Sequence, residues 1–184
     1  METDNAIDRA PDETGAVSAS VPDWTREDRR PGLQEPGRRL VASIRSYQRH
    51  AASSGPLARI AKLVAVARHR CWTVVTGADI PLNCNLGGGL VLPHPNGIVI
   101  HPRSTIGPNC LIYQQVTIGE GSREGLPRIG GHVDNGAGAK ILGGVTIGDH
   151  ARIGANAVVL QDVPPGASAV GIPARILPGG TTRP

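Results

Sequence analysis

From Ile129 to Val159 the chain places a residue of one kind at every sixth position. The series Ile129, Asn135, Ile141, Ile147, Ile153 and Val159 is aliphatic except at Asn135. Glycine follows four of these residues, at 130, 136, 148 and 154. The spacing also runs upstream through Ile80, Leu86, Leu92 and Ile98, slips by two residues to Ile100, and continues through Ile106, Ile112 and Ile118. A period of six matches neither the roughly 3.6 of a helix nor the 2 of a two-faced strand. It predicts a short-repeat solenoid whose aliphatics stack into one core as the chain coils. Glycine is expected where a side chain would collide or a positive φ is needed. The period is lost in GEGSREGLPR, residues 119–128, and a loop thrown out of a solenoid commonly lies on its functional side.

The rest of the composition suits a narrow coil. Phenylalanine is absent, and two tryptophans and two tyrosines could not fill an ordinary aromatic core. Residues 1–36 carry nine acids against four bases with almost no hydrophobic periodicity, and are expected to form a disordered acidic tail. A helical segment is expected over 37–77, with helices near 38–52 and 56–75. The first carries Leu40, Val41, Ile44 and Tyr47 on one stripe. The second is expected to turn Leu57, Ile60, Ala61, Val64, Cys71, Trp72 and Val75 inward. The repeat domain then spans 78–176, and 177–184 form a C-terminal tail.

Between 37 and 80 eight bases face one acid, but no aromatics are interleaved for base stacking, so no nucleic-acid partner is expected. Cys71, Cys84 and Cys110 are too few and too scattered for a disulfide framework or a zinc ribbon. With no apolar leader and no run long enough to span a membrane, the reading is a soluble, reduced, cytoplasmic protein.

Five phrases carry a family resemblance: ADIP at 78–81, PHPNGIVI at 93–100, QQVTIG at 114–119, GAGAKILGGVTIGDHARIGANAVV at 136–159 and VGIPARI at 170–176. In these the chain resembles the serine acetyltransferase group of hexapeptide-repeat acyltransferases. The resemblance implies a left-handed parallel β-helix, a homotrimer with active sites between neighbouring coils, and acetyl-CoA as donor. It implies that His94 is the general base and Asp79 its partner. It also lays the pantetheine arm along Gly119, Ala137 and Ala155, with Lys140, Arg152 and Arg175 as cations for the CoA phosphates.

The chemistry agrees with those residue types. Moving an acetyl group from a thioester to a hydroxyl needs a base for the hydroxyl proton and a group that orients the base. The thioester is already activated, so direct attack needs no covalent intermediate. Cys110 is read as a small buried hydrophobe and not as a nucleophile. A hexapeptide-repeat carbonic anhydrase needs three zinc-binding histidines, two of them close. His94, His101, His132 and His150 stand 7, 31 and 18 residues apart, so no metal is expected and the last three are read as solvated corners.

The departures concern the acceptor. Pro93 stands where the family has a serine-binding aspartate, and Leu126 stands where it has a second histidine, two residues before Arg128. Pro93, Leu126 and Arg128 thus mark an acceptor pocket expected to take a sugar or specialised metabolite, with genuine serine acetylation as the alternative. The C-terminus lacks the terminal isoleucine through which family members dock to cysteine synthase, so that complex is not expected. A non-catalytic solenoid scaffold is the second alternative.

Overall fold

A computed structural model describes residues 17–28 and 35–179 of the chain. The expected disorder of 1–16 and 29–34, and the last residues of the C-terminal tail, 180–184, lie outside the described residues. The core is a parallel coil of three sheets. The first holds β1 (Asn85–Leu86), β3 (Thr105–Ile106), β6 (Arg128–Ile129) and β9 (Thr146–Ile147). The second holds β4 (Leu111–Ile112), β7 (Asp134–Asn135), β10 (Arg152–Ile153) and β12 (Ser168–Val170), and β13 (Arg175–Leu177) returns antiparallel on β12. The third holds β2 (Val99–Ile100), β5 (Thr117–Gly119), β8 (Lys140–Leu142) and β11 (Val158–Val159). The first, second and third corners follow the first, second and third sheets along each coil.

Register explains the period of six. Val99 pairs with Thr117 and Lys140 with Val158, so one coil is 18 residues, or three hexapeptides. Every predicted core position from Ile80 to Val159 is buried, Asn135 included. Burying such aliphatics contributes roughly 1.5–3 kcal/mol each. The two-residue slip falls at the second corner of the first coil: Val91 pairs with Leu111 and Val99 with Thr117, so two extra residues lie between 91 and 99.

Glycine serves the corners in both expected ways, at different positions. The glycines after the aliphatics are there for close approach. A Cβ on Gly107 would stand 2.5 Å from the carbonyl carbon of Gly130, and one on Gly148 2.4 Å from Pro165 N. Positive φ falls elsewhere, two residues before the strand at the first and second corners. Gly89, Asn109, His132, His150 and Gly166 take it at the first corner; Gly97, Gln115, Gly138 and Asn156 take it at the second. A φ from 51° to 59° at the five non-glycine positions is a region where asparagine and histidine are among the more tolerant residues.

Asn135 sits between Ile112 and Ile153 in the second sheet and is fully buried. Its Nδ2 donates to Leu111 O (3.1 Å) and Val133 O (3.3 Å), but its Oδ1 is buried without a hydrogen-bond partner. An unmatched buried carbonyl costs about 1–3 kcal/mol. Asn135→Ile is therefore expected to raise stability by about 1 kcal/mol, read as a higher urea midpoint with an unchanged slope. A lower midpoint would show that the Nδ2 bonds matter more than the stranded oxygen.

Helix α1 (Pro36–Ala51) closes the open end of the first coil, with Leu40, Val41 and Ile44 in the same buried cluster as Ile80, Leu86 and Leu92. Helix α2 (Pro56–Thr76) packs on α1, but not by the expected face. Leu57, Ile60, Val64, Cys71 and Val75 are exposed, whereas Ala65, His69 and Thr76 are buried and Trp72 is half-buried against the core. Small residues bring the two helices close enough for a polar link at their interface. Ser43 Oγ donates to Leu40 O (2.6 Å) and lies 3.2 Å from His69 Nδ1, with Thr73 Oγ1 at 3.5 Å from His69 Nε2.

Burial pushes His69 below the ordinary histidine range, opposed by the nearby Asp79 charge. The unfolded chain then binds a proton more readily than the folded one, so stability falls as pH drops below about 6.5 toward the folded value. The urea midpoint is expected to be lower at about pH 5.5 than at about pH 7.5, with a smaller difference in His69→Gln. An identical difference in the variant would move the effect to another group.

The N-terminal segment corrects the expected tail. Residues 17–28 form a strap across the first corner, including a 3-10 turn at Trp24–Glu27. Asn109 Nδ2 donates to Ser18 O (2.7 Å) and Val21 O (2.8 Å), and Asn109 Oδ1 accepts from Asp23 N (2.8 Å). Gly88 leaves room for Trp24, and Gly131 for Ala19. The strap orders despite its polar composition because its backbone groups find partners on a preformed corner.

Candidate active site

The widened corner, residues 93–97, is where the sequence reading put the chemistry. It is stitched to its neighbours by backbone bonds: Gly97 N donates to Gly77 O (3.0 Å), and Gln115 N donates to Asn96 O (2.8 Å). Asp79 lies one coil below Val99, with Asp79 N on Ile98 O (2.7 Å) and Ile100 N on Asp79 O (2.9 Å). Asp79 and His94 thus belong to adjoining backbone segments, and both side chains are exposed. No hydrogen bond or ion pair joins them among the described residues. Apo sites commonly hold a base and its orienting group loosely until substrate tightens them.

The other expected residues divide between edges. Ala137 and Ala155 stack on successive coils at the second corner, the edge that carries His94, with Asn156 N donating to Ala137 O (2.8 Å). Gly119 is buried at the far end of the third sheet. Lys140 Nζ is held by Gln115 O (2.6 Å) and Thr117 Oγ1 (3.1 Å), so its ammonium already ties strand to corner. Arg152 and Arg175 are both exposed and both belong to the second sheet. Pro93 is half-buried at the second corner. Leu126 is half-buried in the third-corner loop, and Arg128 points outward from the first sheet. One chain therefore does not bring Pro93, Leu126 and Arg128 together.

The loop is ordered by its surroundings. Arg123 Nη1 pairs with Asp162 Oδ1 at 2.9 Å, Gly144 N donates to Arg123 O (3.2 Å), and His101 Nε2 lies 3.6 Å from Glu120 Oε1. Gly143 and Gly144 allow it to lie flat, since a Cβ on Gly144 would meet Glu124 O at 2.2 Å. Gln114, within the phrase QQVTIG, has its Oε1 buried on the His94 edge without a hydrogen-bond partner. Nothing in the letters QQVTIG marks that atom as stranded.

The two buried cysteines, Cys84 and Cys110, are inert as nucleophiles. Burial pushes the Cys84 and Cys110 thiols up to about 12, and Cys110 Sγ sits 3.2 Å from Gly130 O. Among the described residues no group of three or more His, Cys, Asp and Glu is arranged to hold a metal, and no helix is long and apolar enough to cross a membrane.

Parallel strands wound in three sheets with an 18-residue coil define a parallel β-helix, and the likeness to solved serine acetyltransferases makes it the left-handed form. The profile described as bacterial transferase hexapeptide (six repeats) matches residues 128–161. A serine acetyltransferase of Synechococcus elongatus is 44% identical over 107 residues, which are 56% of this chain and 44% of that protein. The solved soybean serine acetyltransferase complexed with serine superposes with a TM-score of 0.66 at 35% identity, covering 79% of this chain and 58% of that one. A serine acetyltransferase in complex with CoA gives 0.65 at 36% identity, covering 79% and 58%. The chain spans about half the length of the curated relatives it matches. Over its repeats the chain is thus similar to the hexapeptide-repeat serine acetyltransferases.

Proposed function

We propose that the chain is an acetyl-CoA-dependent O-acetyltransferase whose acceptor is serine, acting as a homotrimer. The observation that carries the reading is the widened corner that presents His94 beside the Asp79 segment on an edge lined by small residues. His94 takes the hydroxyl proton as oxygen attacks the thioester carbonyl, the C–S bond breaks, and the thiolate of CoA leaves and is protonated. Asp79 accepts the other imidazole N–H and stabilises the imidazolium as it forms. Similar proteins solved with serine and with CoA support donor and acceptor alike.

Those names move the reading away from the sugar or specialised metabolite that Pro93 and Leu126 suggested. A threefold assembly supplies the reason that two substitutions need not abolish serine binding. With the site between neighbouring chains, groups of a second chain can supply contacts that Pro93 and Leu126 do not. The test is CoA release from acetyl-CoA with L-serine as acceptor. Serine-dependent release at ordinary enzyme rates is the expected result. Release with another hydroxyl compound but not with serine would return the acceptor to the altered pocket.

A further inference from the structure

His132 and His150 stand 18 residues apart, a separation that in this fold is one complete coil. They occupy the left-handed position of the first corner on successive coils, with φ of 51° and 59°, where the ends of the same ladder use Gly89 and Gly166. Residues with a Cβ hold this conformation at a cost, and such positions gather at binding sites. The two Nδ1 atoms are 2.9 Å apart, with ring centroids at 5.1 Å and planes crossed at 74°. A first-row divalent metal binds imidazole nitrogen at about 2.0–2.1 Å, and two such ligands at a right angle stand about 2.9 Å apart.

We propose that His132 and His150 form a bidentate imidazole site for a divalent transition-metal ion of the copper and nickel class, whose square-planar or tetragonal geometry sets neighbouring ligands at right angles. The ion takes the place of the one proton that would otherwise lie between the two nitrogens. Asp149 is close in sequence, but its Oδ1 accepts from Gly131 N at 2.7 Å and serves the corner backbone. Among the described residues no group of three or more His, Cys, Asp and Glu is arranged to hold a metal, so two imidazoles are the protein ligands of the proposed site and the ion exchanges readily. The site clasps two coils at the first corner, whereas His94 lies on the second. Its role is therefore in stability, and transfer of acetyl does not pass through it.

The test uses the full chain stripped with a chelator and titrated with Ni²⁺ by calorimetry, with Cu²⁺ as a spectroscopic probe. One Ni²⁺ per chain is expected, together with a copper resonance split by two nitrogens. His132→Gly and His150→Gly should each weaken Ni²⁺ binding by at least about tenfold, the scale on which even outer partners of a metal site act. Glycine is chosen because it takes the same φ, so each variant keeps the corner geometry. Ni²⁺ should raise the thermal midpoint of the parent chain and leave that of the double glycine variant unmoved. Unchanged binding in the double variant would overturn the proposal by placing the ion elsewhere. Absence of saturable binding would overturn it too, and leave the pair as a single N–H···N hydrogen bond.

Discussion

His94→Ala is expected to lower acetyl transfer to serine by about a hundredfold to ten-thousandfold, the range that a positioned general base supplies. The loss should appear in kcat, because the base acts on the proton only as the hydroxyl attacks; CoA affinity should change little. The thermal midpoint should not move, since His94 is exposed on a corner held by backbone bonds at Gly97 and Gln115. Asp79→Asn should lose less and shift the pH profile, because it acts through the orientation and charge of the imidazole. A His94→Ala protein with undiminished serine-dependent CoA release would remove this histidine from the mechanism.

Arg45→Ala carries the largest expected effect on stability, a loss of about 3–5 kcal/mol by urea unfolding, as for other buried pairs broken on one side. Arg45 is 13% exposed and grips the 11%-exposed Glu27 through Nη2 (2.9 Å) and Nε (3.1 Å). The same guanidinium donates to Leu86 O (2.7 Å) and Gly87 O (2.6 Å), and Glu27 Oε1 accepts from Leu90 N (3.1 Å). One side chain thus joins the strap, α1 and the first coil, and its removal leaves the largely covered Glu27 carboxylate without its counter-charge and takes a donor from each of two carbonyls. Arg45→Lys should recover only part of the loss, since an ammonium cannot make the forked contact. A loss below about 1 kcal/mol would class the pair with ordinary surface ion pairs.

The two predictions rest on features of different legibility. The edge carrying His94 could be read in advance because the phrase PHPNGIVI carries the resemblance; the period alone put the slip between Ile98 and Ile100, whereas the register puts the two extra residues between 91 and 99. Arg45 could not be singled out. Among eight bases in a helical segment nothing in the letters marks the one that faces a carboxylate 18 residues upstream. The strap was hidden for a related reason, since its stabilising partner is the amide of Asn109, far along the chain. Helix α2 shows the converse error. Its large aliphatics form a stripe at helical spacing, yet the helix buries Ala65 and His69, because the face turned to α1 is the one where Ala65 permits close approach and His69 meets Ser43.

His132 and His150 are the sharpest case of distance along the chain misleading. An interval of 18 residues counts as remote until the coil length is known, and then it means stacked neighbours.

The sequence by itself determined the coil, its core and its corners, because a period of six encodes which side chain points inward whatever else the chain does. Tertiary structure alone decided which glycine serves close approach and which corner takes a left-handed φ. It also decided which cations are already engaged and how the strap closes over Asn109. Those outcomes depend on atoms one coil or more away, and a local pattern of residue types holds no record of such distances.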